Sequence, residues 1–197
     1  MFRQKIGFFL GFFLTALLFS NPAKATLYSL ANVKSLAHSA GTACFGTVKD
    51  LRQTTLNQKS VSELTFDCEQ SAKGNGGVYT FHILNFASAG SKIRFVAPAL
   101  QPANLFEVGK KYFVFFYNPH PVSGLTSPVG GGQGVFRYDP KVGLVNEYDN
   151  QNVFNGLASG SAFKSKDLNE AAQAIQSQQR LGVSVDEMIR LVKAETP

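Results

Sequence analysis

The sequence predicts a mainly β chain with helical additions. Antiparallel strands form a sandwich or a small, closed or partly open barrel. A short helix precedes them and a helical hairpin follows. Three observations predict this. Between Ala43 and Asn146 apolar residues recur with a period of two, in β-branched and aromatic runs separated by Gly, Ser, Asn and Pro clusters. Beyond Ser161 the period changes to three and four, and capping-box spacings occur at Asp167 and Ser184. The first 25 residues follow neither pattern and have the order of an export leader.

In that leader, Arg3 and Lys5 precede residues 6–19, an apolar run of fourteen residues relieved only by Gly7, Gly11 and Thr15. Ser20, Asn21 and Pro22 end the run, and Ala23-Lys24-Ala25 places small residues where a signal peptidase reads them. Cleavage is expected after Ala25. The run is shorter than the roughly 20 residues a membrane-spanning helix needs. The mature protein is therefore expected to be secreted or periplasmic, with no integral membrane segment.

A start at Thr26 leaves 172 residues, enough to bury a core without staples. The leader holds three of the 19 basic residues and none of the 13 acids, so the formal +6 falls to 16 bases against 13 acids, or +3. That is an ordinary soluble surface, and no nucleic-acid partner is expected. Cys44 and Cys68 are the two cysteines. An even count in an exported chain favours a bridge. Its loop of about 25 residues makes it worth roughly 3.5 kcal/mol in the chain-entropy model. A metal site would need further ligands at CxxC or HxxxH spacing, and the chain has neither. No metal or other cofactor is expected.

The elements follow in order. Leu27, Leu30, Val33 and Leu36 recur every three residues and predict a short helix with Thr26 as its cap. Residues 44–48 read as a strand. Residues 61–68 alternate, with Leu64, Phe66 and Cys68 sharing a face. After the turn-rich residues 71–77, residues 78–86 put Tyr79, Phe81 and Ile83 on one face and Thr80, His82 and Leu84 on the other. Residues 92–97 alternate again, with Ile93 and Phe95 inward. Residues 111–117 (KYFVFFY) are the most apolar strand and are expected to be covered on both faces. Residues 118–128 form a Pro-rich loop. Residues 134–138 and 142–146 flank Asp139-Pro140-Lys141, a hairpin turn. Near the end, Asp167-x-x-Glu170 opens the stripe Leu168, Ala171, Ala172, Ile175. Ser184-x-x-Glu187 opens Val185, Met188, Leu191, Val192. The expected organisation is a signal peptide over 1–25, a β-domain over 26–160 and a helical appendage over 161–197.

Four segments occur in a familiar order: CFGTV at 44–48, VYTFHILNF at 78–86, FEVGKKYFVFF at 106–116 and LTSPVGGGQG at 125–134. Over residues 43–138 the chain resembles the netrin-like modules related to tissue inhibitors of metalloproteinases. The resemblance implies an OB-like closed barrel flanked by helices, used as a secreted binding module. One departure matters. Those inhibitors place a cysteine at the mature N-terminus, where it chelates the target's zinc. Here that position is expected to be Thr26, so protease inhibition is not implied and no binding residue is carried over.

The candidate binding loop combines His120, between Pro119 and Pro121, with Gly130, Gly131, Gly132 and Gln133. A glycine-rich run can cradle an anion with its backbone amides. The spacing is not GxxxxGK[ST], and a strand follows where a dinucleotide site needs a helix. The competing reading is a bulged hairpin entry that uses glycine's φ freedom. His82 reads as a barrel-wall residue. His120, Ser123 and Asp139 could supply a Ser-His-Asp set, but no GxSxG elbow accompanies them, and no catalytic residue is assigned. The many Phe and Tyr residues belong to strand cores more readily than to a base-stacking platform. The expected function is an exported, non-enzymatic module that binds a protein or other envelope component. The alternatives are a small exported hydrolase, or a subunit of an envelope complex docked through its C-terminal helices.

Overall fold

The computed structural model describes residues 31–85, 105–150, 153–154 and 182–196. The leader with Ala25, the expected cap Thr26, the strand at 92–97 and the capping box at Asp167 lie outside these residues. The strands are β1 (Thr42–Leu56), β2 (Lys59–Lys73), β3 (Gly77–Leu84), β4 (Lys111–Phe116), β5 (Leu125–Thr126), β6 (Val135–Asp139) and β7 (Gly143–Asn146). They form one sheet in the order β5-β3-β2-β1-β4-β6-β7. The helices are α1 (Val33–Ser39) and α2 (Val185–Glu195). Among the described residues no helix is long and apolar enough to cross a membrane.

The chain is mainly β, as expected, but the sheet is mixed and not purely antiparallel, and it is not closed into a barrel: β5 and β7 stand at its two edges. β5 runs parallel to β3, with His82 opposite Leu125 and Ile83 opposite Thr126. The loop after β4 carries the chain alongside β3, and residues beyond β5 return to β4. There the Tyr117 N–H donates to Ser127 O at 3.1 Å and the Val129 N–H to Phe115 O at 2.8 Å.

β1 and β2 extend well past the expected strands, because their hairpin continues outward in register to Leu56 opposite Lys59. Asn57 and Gln58 make the two-residue turn with φ of 49° and 63°. Such a turn demands positive φ at both central positions, and Asn-Gln lacks the glycine that normally announces it. α1 is capped by Asn32, whose side chain accepts the Ser35 N–H at 2.9 Å. A residue poor inside a helix is well suited to its start. α2 opens with the expected capping box: Ser184 Oγ accepts the Glu187 N–H at 3.2 Å, and Glu187 Oε2 accepts the Ser184 N–H at 3.0 Å.

The period of two sorts side chains to two faces. Cys44, Val48, Leu64, Phe66, Phe81, Ile83, Val114 and Phe116 form one buried cluster. Phe45, Phe113, Phe115, Phe136 and Leu144 form the other, with Val33 and Leu36 of α1 and Met188, Leu191 and Val192 of α2. β4 contributes to both, so it is covered on both sides as its composition predicts. Burying a side chain such as Leu191 stabilises by about 1.5–3 kcal/mol.

The Cys44–Cys68 disulfide is formed, with Cα atoms 5.9 Å apart. The residue directly opposite Cys68 is Gly46. A Cβ there would lie 1.9 Å from Asp67 O, so only glycine permits this approach of β1 to β2.

Candidate functional site

The glycine-rich segment forms a short 3-10 turn, Gly131–Gly134, between β5 and β6. Gly130 and Gly131 supply φ of 64° and 62°. Gly132, Gln133 and Gly134 are buried. A Cβ at Gly134 would meet Val129 O at 2.3 Å, and one at Gly132 would meet Glu147 Oε2. Gly134 is therefore needed for close packing against the backbone, whereas at Gly132 the end of the Glu147 side chain can move aside.

Gln133 ties this turn to the rest of the fold. Its Oε1 accepts the Ala31 N–H, just before α1. Its carbonyl accepts from Asn146 Nδ2 at 3.2 Å, at the end of β7. Asn146 and Asn150 then bond each other's backbone: Asn150 Oδ1 accepts the Asn146 N–H and Asn146 Oδ1 the Asn150 N–H, both at 2.9 Å. Asn150 Nδ2 donates to Leu144 O at 2.8 Å. All three polar side chains are buried and satisfied, as buried polar groups must be. The sequence marks these positions only as loop-forming Asn and Gln. Nothing in their spacing shows that a separation of 102 positions closes at Gln133.

His120 is exposed in the loop between β4 and β5. Its Nδ1 accepts the backbone N–H groups of Val122 and Ser123, each at 3.3 Å. Its carbonyl accepts the Gly124 N–H, and its own N–H donates to Leu125 O, both at 2.8 Å. His120 thus shapes its loop. No hydrogen bond among the described residues joins it to Gly130, Gly131, Gly132 or Gln133. Asp139 is likewise occupied, accepting from the Lys141 N–H at 2.7 Å and the Val142 N–H at 3.2 Å, which hold its carboxyl below its ordinary range. Ser123 donates its own backbone to His120 and its Oγ accepts from the Leu125 N–H. The three residues serve two different turns.

The outward face of β1, β2 and β3 carries an arrangement that sequence reading missed. Arg52, Glu63 and His82 lie opposite one another in register. Arg52 Nε donates to Glu63 Oε1 at 2.9 Å, and His82 Nε2 stands 3.3 Å from Glu63 Oε2. The Arg52 guanidinium, and after it His82, hold the Glu63 carboxyl below its ordinary range. Farther along the same side of the sheet, Lys49 pairs with Asp67 at 3.1 Å and Lys111 with Glu69 at 2.7 Å. Lys111 and the Thr47 hydroxyl likewise hold Glu69 low. The missing signal is cross-strand register, which relates residues 11 and 19 positions apart. The β1–β2 turn and the loop after β4 meet at one end of this face: a Cβ at Gly124 would lie 3.8 Å from Leu56 Cδ2.

An open cleft of about 960 Å³ lies between the start of α2 and the β6–β7 turn and shares Lys111 with that outward face. Phe45 and Tyr138 meet edge to face in it, 5.5 Å between centroids, beside Lys111, Lys141 and Asp186. Among the described residues no group of three or more His, Cys, Asp or Glu side chains is placed to hold a metal ion. The apolar stripe of α2 faces the chain's own core. Comparison of the chain with protein-family models, with curated proteins and with solved structures found no match.

Proposed function

We propose that the protein is an exported, non-enzymatic binding module that recognises a protein or another envelope component through the outward face of β1–β3 and the loops at its end. The observation that carries this reading is the in-register ladder Arg52–Glu63–His82, an ordered polar surface on a sheet stiffened from within by a disulfide. Paired charges of this kind contribute little to stability. They do impose a fixed pattern of donors and acceptors, which favours one partner over others. Export is supported by the charged, apolar and small-residue order of residues 1–25 and by the disulfide.

The fold is read here as a partly open OB-like barrel of the netrin-like kind. Two features support that reading: the neighbour sequence β1-β2-β3-β5, and the return of residues 127–129 to β4, where Phe116 pairs with Pro128. An OB-like barrel uses the face of its second and third strands and the adjoining loops for recognition.

The test is affinity capture from the native envelope with the processed protein and with Arg52→Glu, both shown to be folded by their melts. A component retained by the first and lost by the second supports the reading. Equal retention by both places recognition elsewhere. No retained component, together with turnover of ester, peptide or glycoside substrates, favours the hydrolase alternative. Intact mass of the exported chain should begin at Thr26.

A further inference from the structure

We propose that Asn75 is a self-modification site, where the chain converts an asparagine to aspartate and isoaspartate without an enzyme. The site is the exposed turn Gly74-Asn75-Gly76 between β2 and β3. The main chain of Asn75 is gripped from one side. Its N–H donates to Tyr79 Oη at 3.0 Å, and the Tyr79 hydroxyl donates to its carbonyl at 2.5 Å. Among the described residues neither the Asn75 side-chain amide nor the Gly76 N–H has a hydrogen-bond partner. An unengaged electrophile therefore sits next to an unengaged nucleophile, and the residue carrying the nucleophile has no Cβ to crowd the approach.

The reaction needs only water. The Gly76 amide nitrogen, its proton taken by solvent hydroxide, attacks Asn75 Cγ. The N–Cγ bond forms, the Cγ–Nδ2 bond breaks, and the side-chain nitrogen leaves as ammonia. The resulting succinimide adds water at either carbonyl. One opening yields aspartate. The other yields isoaspartate, in which the main chain runs through the side-chain carbon. No electrons are transferred.

The position of Tyr79 gives the modification a structural consequence. Isoaspartate adds a carbon to the main chain between the Asn75 Cα and the Gly76 nitrogen, and turns the carbonyl that the Tyr79 hydroxyl holds into a free carboxylate, so the turn must shift at the group Tyr79 grips. The Tyr79 ring stacks on Phe81, 5.4 Å between centroids, and Phe81 stacks on Phe116 at 4.0 Å. Loosening the turn therefore loosens the end of an aromatic stack that belongs to the disulfide-side core.

The experiment ages the full, purified chain in mildly alkaline buffer, then maps peptides by mass and by isoaspartate-specific methylation. Asn75 should be modified ahead of the exposed Asn57 and Asn118. Asn118 is an internal control, since Pro119 has no N–H with which to attack. Peptide mapping separates Asn75 from Asn155, the other asparagine followed by glycine, which lies outside the described residues. Gly76→Ala should fold, because its Cβ would lie 3.7 Å from Cys68 O, an ordinary contact. It should lose the isoaspartate product at residue 75. The aged wild-type chain should melt lower than fresh protein, and aged Asn75→Gln should not. Retention of the amide at Asn75 for as long as at Asn118, or unchanged modification in Gly76→Ala, would overturn the proposal.

Discussion

The two faces of the sheet are closed by different means. The face holding Cys44 and Cys68 is closed by the strands' own side chains, by an aromatic stack and by a covalent bond. The other face is closed by helices from the two ends of the described chain, α1 and α2, which also contact each other. The first interior is set by contacts between neighbouring strands. The second depends on segments about 150 residues apart finding one another. Chain entropy opposes such distant contacts, so they need several anchors. The anchors are visible: the Val183–Leu144 bridge, the Lys34–Glu195 ion pair between the helices and the Gln133 clasp on Ala31.

Removing residues 182–197 should have the largest effect, because it takes away one of the two helices that cover one face and leaves the other face closed. The truncated chain should keep strand-type circular dichroism and a cooperative melt at a lower temperature. A wholly unfolded product would show that the two faces form one inseparable core. Phe116→Ala probes the opposite face and should cost about 4 kcal/mol in denaturant unfolding, since a large buried ring leaves a cavity. Replacing Cys44 and Cys68 with Ala should cost roughly 3.5 kcal/mol. If that double variant instead melts like wild type, the closed loop contributes nothing and the contrast between the faces weakens. Ser184→Ala removes a cap and should cost about 1 kcal/mol, read as a lower melting temperature with unchanged strand signal.

The smallest effect concerns pH. Glu63, Glu69 and Asp139 have folded-state pKa values below their ordinary ones. Groups depressed on folding contribute stability above their unfolded pKa and lose it as pH falls through the folded value. The chain should therefore lose stability as pH falls from the ordinary carboxylate value through the lower folded ones, and modestly, because the pairs lie at the surface, where solvent screens them. Arg52→Ala should reduce the acid-dependent loss assignable to Glu63 while leaving both interiors intact. A stability curve unchanged by Arg52→Ala would show that the ladder is only an arrangement of neighbours.

Local chemistry determined much of this by itself. The alternation at 61–68, the continuous apolar run at 111–116 with the double covering of β4, the capped helix at Ser184 and the hairpin at Asp139 follow from side-chain period, composition and turn residues. These are short-range effects that a linear reading contains. The pairing of the two cysteines is expected from their even number and from the export that the leader predicts. Tertiary structure decided the rest. It set β5 parallel to β3, because a loop and not a turn joins β5 to β4. It carried the β1–β2 ribbon out to Asn57-Gln58, a turn without glycine. It also made Gln133 a buried clasp and placed Arg52, Glu63 and His82 in one row. Each depends on which strand lies beside which, and in what register. That choice is made by burying two apolar faces at once, and no local window of sequence contains it.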